Sequence, residues 1–241
     1  MSYSLMSPLA DRTLFIDGEA IVLDKPAGLP VDPPRDGGLS LENHLASLTF
    51  GFQRWPLPVH RLDRDTSGCL LLARNPKAHK RFAAAFEAGT VEKLYLAVLD
   101  GVPAEAEGRI DLPLAKISSA RDGWRMVGDA KGKAASTDWQ VVAVVEGQNA
   151  VRRALVAFRP QTGRTHQIRV HAASGIGLPI VGDPVYGTET PGVPMLLHAA
   201  ALSLPRAGKP PVAATAPLPD RFLAAGFSQE QADAAPMFRH A

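Results

Sequence analysis

Residues 59–90 read VHRLDRDTSGCLLLARNPKAHKRFAAAFEAGT. Within them, CLLLA is a short unbroken apolar run between turn residues, which predicts a buried strand. Asn75-Pro76 then supplies an N-cap and a proline at the first helical position, where a missing N–H costs nothing. Ala78, Phe82, Ala85 and Phe86 recur at helical spacing until Gly89 can close the C-terminus, so a helix follows the strand. Ahead of that strand, two carboxylates, Asp63 and Asp65, sit in a loop that also carries Arg61 and Arg64. Acids inside a basic loop, leaning on a buried strand, call for a reason.

Working outward, AIVLD (20–24) is β-rich and stops at KPAGLPVDPPRDGG, a long loop by its Pro and Gly content. Ser40 can cap a short helix reaching about Leu48, and WPLP (55–58) keeps the chain extended before VHRLD. VEKLYLAVL (91–99) is rich in strand formers. STDWQVVAVVE and AVRRALVAFRP flank the turn residues Gly147, Gln148 and Asn149 as a hairpin. Thr165 can cap a short helix, HQIRVHAAS, ending at Gly175, and MLLHAAALSL (195–204) reads as a further strand. Strands and helices do not alternate regularly, so the expected class is α+β with a mainly antiparallel sheet.

The chain has 241 residues, 46% of them apolar and 21% charged, which fits one folded domain rather than a disordered or fibrous chain. The single cysteine, Cys69, cannot close an internal disulfide, and a reducing compartment, the cytoplasm, is the expected location. No segment approaches the roughly 18 apolar residues of a membrane helix, and the N-terminus lacks a basic region followed by an apolar run. Membrane association and secretion are not expected.

A net charge of +2 conceals an uneven distribution: residues 1–50 hold seven acids and three bases, residues 60–81 six bases and two acids, and residues 152–171 five arginines and no acid. Segment 116–136 holds five bases, two acids and Trp124. It reads either as an RNA grip or as an exposed irregular hairpin.

HRLDRDTSG (60–68), EKLYLAVL (92–99) and TGRTHQIRVH (162–171) put acid, aromatic and base on three separate segments that can meet at one site. A loop entering a buried strand presents its side chains from a rigid support, and Asp63 or Asp65 qualifies. An arginine facing such an acid supplies the compensating charge with matching fork geometry, and Arg169 is the candidate. On a helix starting near His166, residues 166, 169 and 170 share a face. Arg164 stands at the helix entrance, suited to phosphate. His60, His166 and His171 do not show the spacing of a helical metal pair. No phosphate-cradling glycine motif is present either, so neither metal nor cofactor is expected.

Taken in order, AIVLDKPAGLPV, VHRLDRDTSGCLLLARN, EKLYLAVLDG, RPQTGRTHQIRVHAASGIGLPIVGDPVYG and LLHAAAL resemble the RluA-type family of RNA pseudouridine synthases over nearly the whole chain. The resemblance implies the pseudouridine synthase fold, with flanking helices and loops around a central active-site cleft. It implies one catalytic domain over 1–241 (core about 12–224); many members also carry an N-terminal S4 RNA-binding domain, and its absence is expected here as a departure, because AIVLDKPAG begins about twenty residues in. Asp63 maps to the family's catalytic aspartate, Arg61 to its gap-filling arginine and Tyr95 to its stacking tyrosine, while Arg169 becomes the preferred partner of Asp63. Arg64, Arg164, His166 and Lys25 are the further RNA contacts expected. The reaction flips a uridine from its stack, breaks the N-glycosidic bond and rejoins the base through C5. The carboxylate either attacks C1′ or removes the 2′ proton. The implied partner is a tRNA anticodon stem-loop, an rRNA hairpin or both, acted on by a monomer. Two other classes predict differently: a non-catalytic RNA-binding module makes Asp63 dispensable, and a metal-dependent nucleotide hydrolase is chelator-sensitive.

Overall fold

The computed structural model describes residues 8–119, 123–146, 151–188 and 192–236. Among the described residues the strands are β1 Thr13–Ile16, β2 Ala20–Lys25, β3 Leu57–Pro58, β4 Ser67–Ala73, β5 Glu92–Leu99, β6 Glu107–Asp111, β7 Leu114–Ser119, β8 Gly123–Gly128, β9 Ser136–Glu146, β10 Arg152–Pro160, β11 Leu197–Arg206 and β12 Lys209–Thr215. The α-helices are α1 Pro76–Glu87, α2 Gln167–Val170, α3 Asp220–Leu223 and α4 Gln229–Asp233. The class is α+β. The chain divides into two compact units, Met1–Glu92 with Ala199–Ala216 and Lys93–His198 with Pro217–Ala241.

In the first unit β4 is the hub. All seven of its residues are buried, as an unbroken apolar run requires, and it pairs antiparallel with β2 from Ala20↔Ala73 to Lys25↔Gly68. The extended WPLP segment supplies β3, which lies along β4 at Leu57↔Ala73. Gly68 is fixed by space: a Cβ there would stand 2.2 Å from the carbonyl oxygen of Ala199. The helix predicted at Asn75-Pro76 is α1. Asn75 Oδ1 accepts the Ala78 N–H at 2.9 Å, and Gly89, with φ 72°, ends it. Ala78 and Phe82 bury against Val22, Leu71, Leu202 and Val212; emptying the Phe82 site by substitution with alanine would cost about 3–5 kcal/mol. The segment expected to be a helix after Ser40 is wound as a 3-10 helix over Leu41–Leu48. Its entry is closed by Ser40 N–H on Asn43 Oδ1 at 2.9 Å.

In the second unit β9 and β10 form the expected hairpin, in register from Arg152↔Glu146 to Pro160↔Thr137 with a bulge at Leu155/Val156. The turn assigned to Gly147, Gln148 and Asn149 lies outside the described residues. β5 pairs with β10, Tyr95 standing opposite Phe158, and β6 pairs with β9. A core of Ala97, Leu99, Trp139, Val156, Phe158 and Ile168 fills this unit. β7 and β8 form a separate two-stranded hairpin, so the 116–136 segment is strand over 116–119 and 123–128 and turns irregularly over 129–135; residues 120–122 lie outside the description.

The helix expected after Thr165 differs in detail. It begins at Gln167, and the residue before it, His166, has a left-handed backbone with φ 54°. After Val170 the chain widens into a π-type turn over His171–Ile176 that closes at Gly177, not Gly175. Local capping does not set this start. Among the described residues no side chain caps its first turn; Gln167 Oε1 instead reaches back to accept the Arg164 N–H at 2.9 Å, ahead of the helix. Gly175 answers to packing, since a Cβ there would meet Ile110 Cγ2 at 2.6 Å.

Candidate active site

The sequence-derived site residues fall in both units. Lys25, Arg61, Asp63 and Arg64 belong to the first; Tyr95, Arg164, His166 and Arg169 belong to the second.

Asp63 is half-buried, between buried Leu62 and exposed Arg64. Its backbone opens a tight turn, its carbonyl accepting the Thr66 N–H at 3.1 Å. The far side of that turn is pinned by Lys25. This lysine has 0% exposure, and its ammonium donates to the carbonyls of Pro26 (2.8 Å), Leu29 (2.8 Å) and Arg64 (3.1 Å). Gly28 N–H also donates to Arg64 O at 2.9 Å. An ammonium has three protons, and here three backbone carbonyls take them. The expected surface contact of Lys25 with RNA is therefore corrected: the cation is buried and holds the KPAG loop against the Asp63 turn.

The two arginines beside Asp63 are exposed and paired. Arg61 Nη1 lies 2.6 Å from Asp32 Oδ2, and Arg64 faces its neighbour Asp65 at 3.1 Å. Exposed pairs of this kind contribute about 0–1 kcal/mol, so either guanidinium can exchange its carboxylate for a phosphate at little cost.

In the second unit the arginine of α2 is held firmly. Arg169 and Asp183 are both buried, and the guanidinium donates through Nε and Nη2 to the two carboxylate oxygens at 2.7 Å each. Val185 and Tyr186 N–H donate to Asp183 Oδ1 at 2.9 and 3.1 Å. Burial alone would raise the Asp183 carboxyl, but Arg169 and these two amides outweigh it and hold it below the usual carboxylate range. Asp183 belongs to GDPVYG, the end of the fourth family-like motif. The Tyr186 ring of the same turn lies under the Arg169 guanidinium at 5.2 Å.

His166 does not share a helical face with Arg169, because its left-handed backbone places it ahead of the helix. Both residues nevertheless contact Tyr186: His166 Nδ1 is 2.9 Å from the Tyr186 hydroxyl, which also accepts the Met126 N–H of β8 at 3.0 Å. The other neighbour of His166 is Trp124, stacked at 5.2 Å. Arg164, exposed at the entrance to α2, donates from Nε to Ala134 O at 3.1 Å. Tyr95 is half-buried and packs on the core that contains Phe158.

A directed hydrogen-bond chain, not foreseen from the sequence, sets where α2 begins. The Thr162 hydroxyl donates to Gln167 Oε1 at 2.7 Å. Gln167 Nε2 donates to Thr137 Oγ1 at 2.9 Å, and Thr137 Oγ1 lies 2.9 Å from His171 Nδ1. His171 Nε2 meets the Leu112 carbonyl at 3.0 Å. A carbonyl only accepts, so Nε2 carries the proton and Nδ1 takes the Thr137 hydroxyl proton. Burial pushes the His171 imidazole below its usual value, opposed by the Leu112 carbonyl and the Asp111 charge. THQIRVH carries the glutamine and the histidine of this chain, but their partners Thr137 and Leu112 lie 30 to 59 residues away in sequence.

A family model described as RNA pseudouridylate synthase matches residues 19–174. An uncharacterized RNA pseudouridine synthase of Zymomonas mobilis is 61% identical over 224 residues, 92% of this chain and 100% of that protein. The ribosomal large subunit pseudouridine synthase D of the same organism is 37% identical over 195 residues, and the match spans 78% of this chain and 59% of that one. Among solved structures, human RNA pseudouridylate synthase domain containing 4 aligns with a TM-score of 0.73 at 28% identity, covering 89% of this chain and 91% of that chain.

Proposed function

Because the chain belongs to the RNA pseudouridylate synthase family, in its RluA-type branch, we propose that it converts specific uridines of structured RNA to pseudouridine with Asp63 as the catalytic carboxylate. The observation that carries this reading is the setting of Asp63. A half-buried acid stands on a turn whose backbone is fastened by a fully buried lysine, so its carboxylate is presented from a rigid support.

The remaining roles follow the family resemblance and the chemistry of each group. Arg61, exposed and only weakly paired, fills the gap left when the uridine flips, a step that costs a few kcal/mol of lost stacking. Tyr95 stacks on the uracil, a contact worth about 1–3 kcal/mol. Arg169, its plane fixed by Asp183, supplies positive charge for the reaction. Arg64, Arg164 and His166 contact the RNA strand. Asp63 either adds to C1′ or removes the 2′ proton, and in both routes uracil departs with the bonding electron pair and turns; its C5 then bonds to C1′ as the Asp63–C1′ bond breaks or the 2′ proton returns, and the C5 proton is given up while N1 gains one. The names of the large-subunit relatives favour ribosomal RNA as substrate over tRNA.

The test is incubation of the protein with ribosomal RNA and, separately, with bulk tRNA, followed by carbodiimide-stop mapping of pseudouridine for wild type and Asp63→Ala. One or a few modified uridines in ribosomal RNA, absent with the variant, is the expected result. Signal that survives the substitution, or none in either pool, overturns the assignment.

A further inference from the structure

Within unit 1 the segment from Phe50 to Leu57 presents four large apolar side chains to solvent: Phe50 at 40% exposure, Phe52 at 39%, Trp55 at 58% and Leu57 at 43%. Single exposed apolar residues are ordinary, but a contiguous group of them marks an interaction surface. These side chains are also held in place. Buried Arg74 donates from Nη2 to the carbonyls of Thr49 and Phe50, both at 3.0 Å, and from Nη1 to Asp17 O at 2.7 Å. Its guanidinium lies 3.7 Å from the centre of the Phe52 ring. Phe50 has φ 44°, a left-handed backbone that bulky residues adopt rarely and that persists only when the surroundings enforce it. A buried cation thus holds a strained loop that leaves these side chains partly exposed.

The charge around this loop indicates what it meets. Residues 43–62 contain no Asp or Glu, although the chain carries 24 of them in 241 residues, and they include His44, Arg54, His60 and Arg61. Flat rings beside Arg54, on a stretch of chain with no carboxylate of its own, suit a nucleobase beside its phosphate. The loop runs into β3, which pairs with the Leu72–Ala73 end of β4, whereas the Asp63 turn adjoins the Ser67 end of the same strand, about 20 Å away along it.

We propose that the Phe50–Leu57 loop is a stacking platform for an unpaired nucleotide of the RNA substrate, at the end of β4 remote from the Asp63 turn and separate from the residues that act on the target uridine. The proposal rests on the reading of the chain as acting on RNA. Trp55 provides the main stacking surface and Arg54 the adjoining phosphate contact; Arg74 is the positioning residue.

The test uses the full chain as wild type, Trp55→Ala and Trp55→Phe. Binding is measured by fluorescence anisotropy to a labelled 12-nucleotide oligouridylate and to an abasic strand of the same length. Trp55→Ala is expected to weaken oligouridylate binding about 5- to 100-fold, the equivalent of one stacked base. Trp55→Phe stays within threefold of wild type, and the three proteins bind the abasic strand alike with one salt dependence. On ribosomal RNA, KM rises for Trp55→Ala while turnover at saturation stays within twofold. The proposal is overturned if wild type fails to bind oligouridylate, if Trp55→Ala binds it within twofold of wild type, or if the loss is equal on the abasic strand. A Trp55→Ala variant that changes only the sedimentation of the RNA-free protein also overturns it, in favour of a protein-covered surface. Failure of wild type to form pseudouridine, with the stacking effect intact, would instead count against the Asp63 assignment and leave the platform standing.

Discussion

Arg169 and Asp183 form a buried, two-pronged ion pair, each guanidinium–carboxylate hydrogen bond being 2.7 Å long. The pair ties α2 to the GDPVYG turn, and its two partners are 14 residues apart in the chain. Two amides complete the coordination of Asp183, so the charge is compensated on several sides.

Substitution Asp183→Asn removes the carboxylate from the buried Arg169–Asp183 pair, and the expected cost is about 3–5 kcal/mol, read from urea unfolding. The pH dependence has a definite sign. The Asp183 carboxyl is held below its usual value in the folded protein, so its contribution is present above the unfolded pKa of about 3.9 and is lost as pH falls through the folded value. The acid limb of the stability profile below about pH 4 should therefore be shallower in Asp183→Asn. An unchanged limb would mean that the pair does not control it.

Lys25→Met tests whether the buried lysine is structural. The thioether keeps much of the volume but leaves the carbonyls of Pro26, Leu29 and Arg64 without their donor, and a loss of about 2–4 kcal/mol in unfolding free energy is expected. The slope of log affinity against log salt for RNA should match wild type. A phosphate-contacting lysine would instead lower that slope by about 0.7–0.9 when removed.

His171 gives a second pH signature, in a different range. Its folded value lies below the usual 6.5, so the neutral ring contributes stability fully above about pH 6.5. That contribution is lost as pH falls toward the folded value, because the unfolded chain takes the proton first. Thermal unfolding between pH 7.5 and 5 should show this decline in wild type and lose it in His171→Gln, whatever the effect of the substitution on stability at pH 7.5.

The strand CLLLA, the Asn75-Pro76 helix start, the β9–β10 hairpin and the ordered family motifs were all legible in the sequence. Each depends on neighbours within a few residues: an apolar period, a capping side chain, a fixed proline φ, or a motif read in order. The tertiary structure alone decided which charges are buried and what they touch. Lys25 looked like a loop cation and is a core pin, because carbonyls four and 39 residues away converge on its ammonium. His166 left the helical face because Gln167 is anchored to Thr137 of a distant strand. The physical reason is one of range. Backbone propensity and hydrophobic period act between near neighbours along the chain, whereas the cost of burying a polar group is settled by whichever residues the fold brings to it.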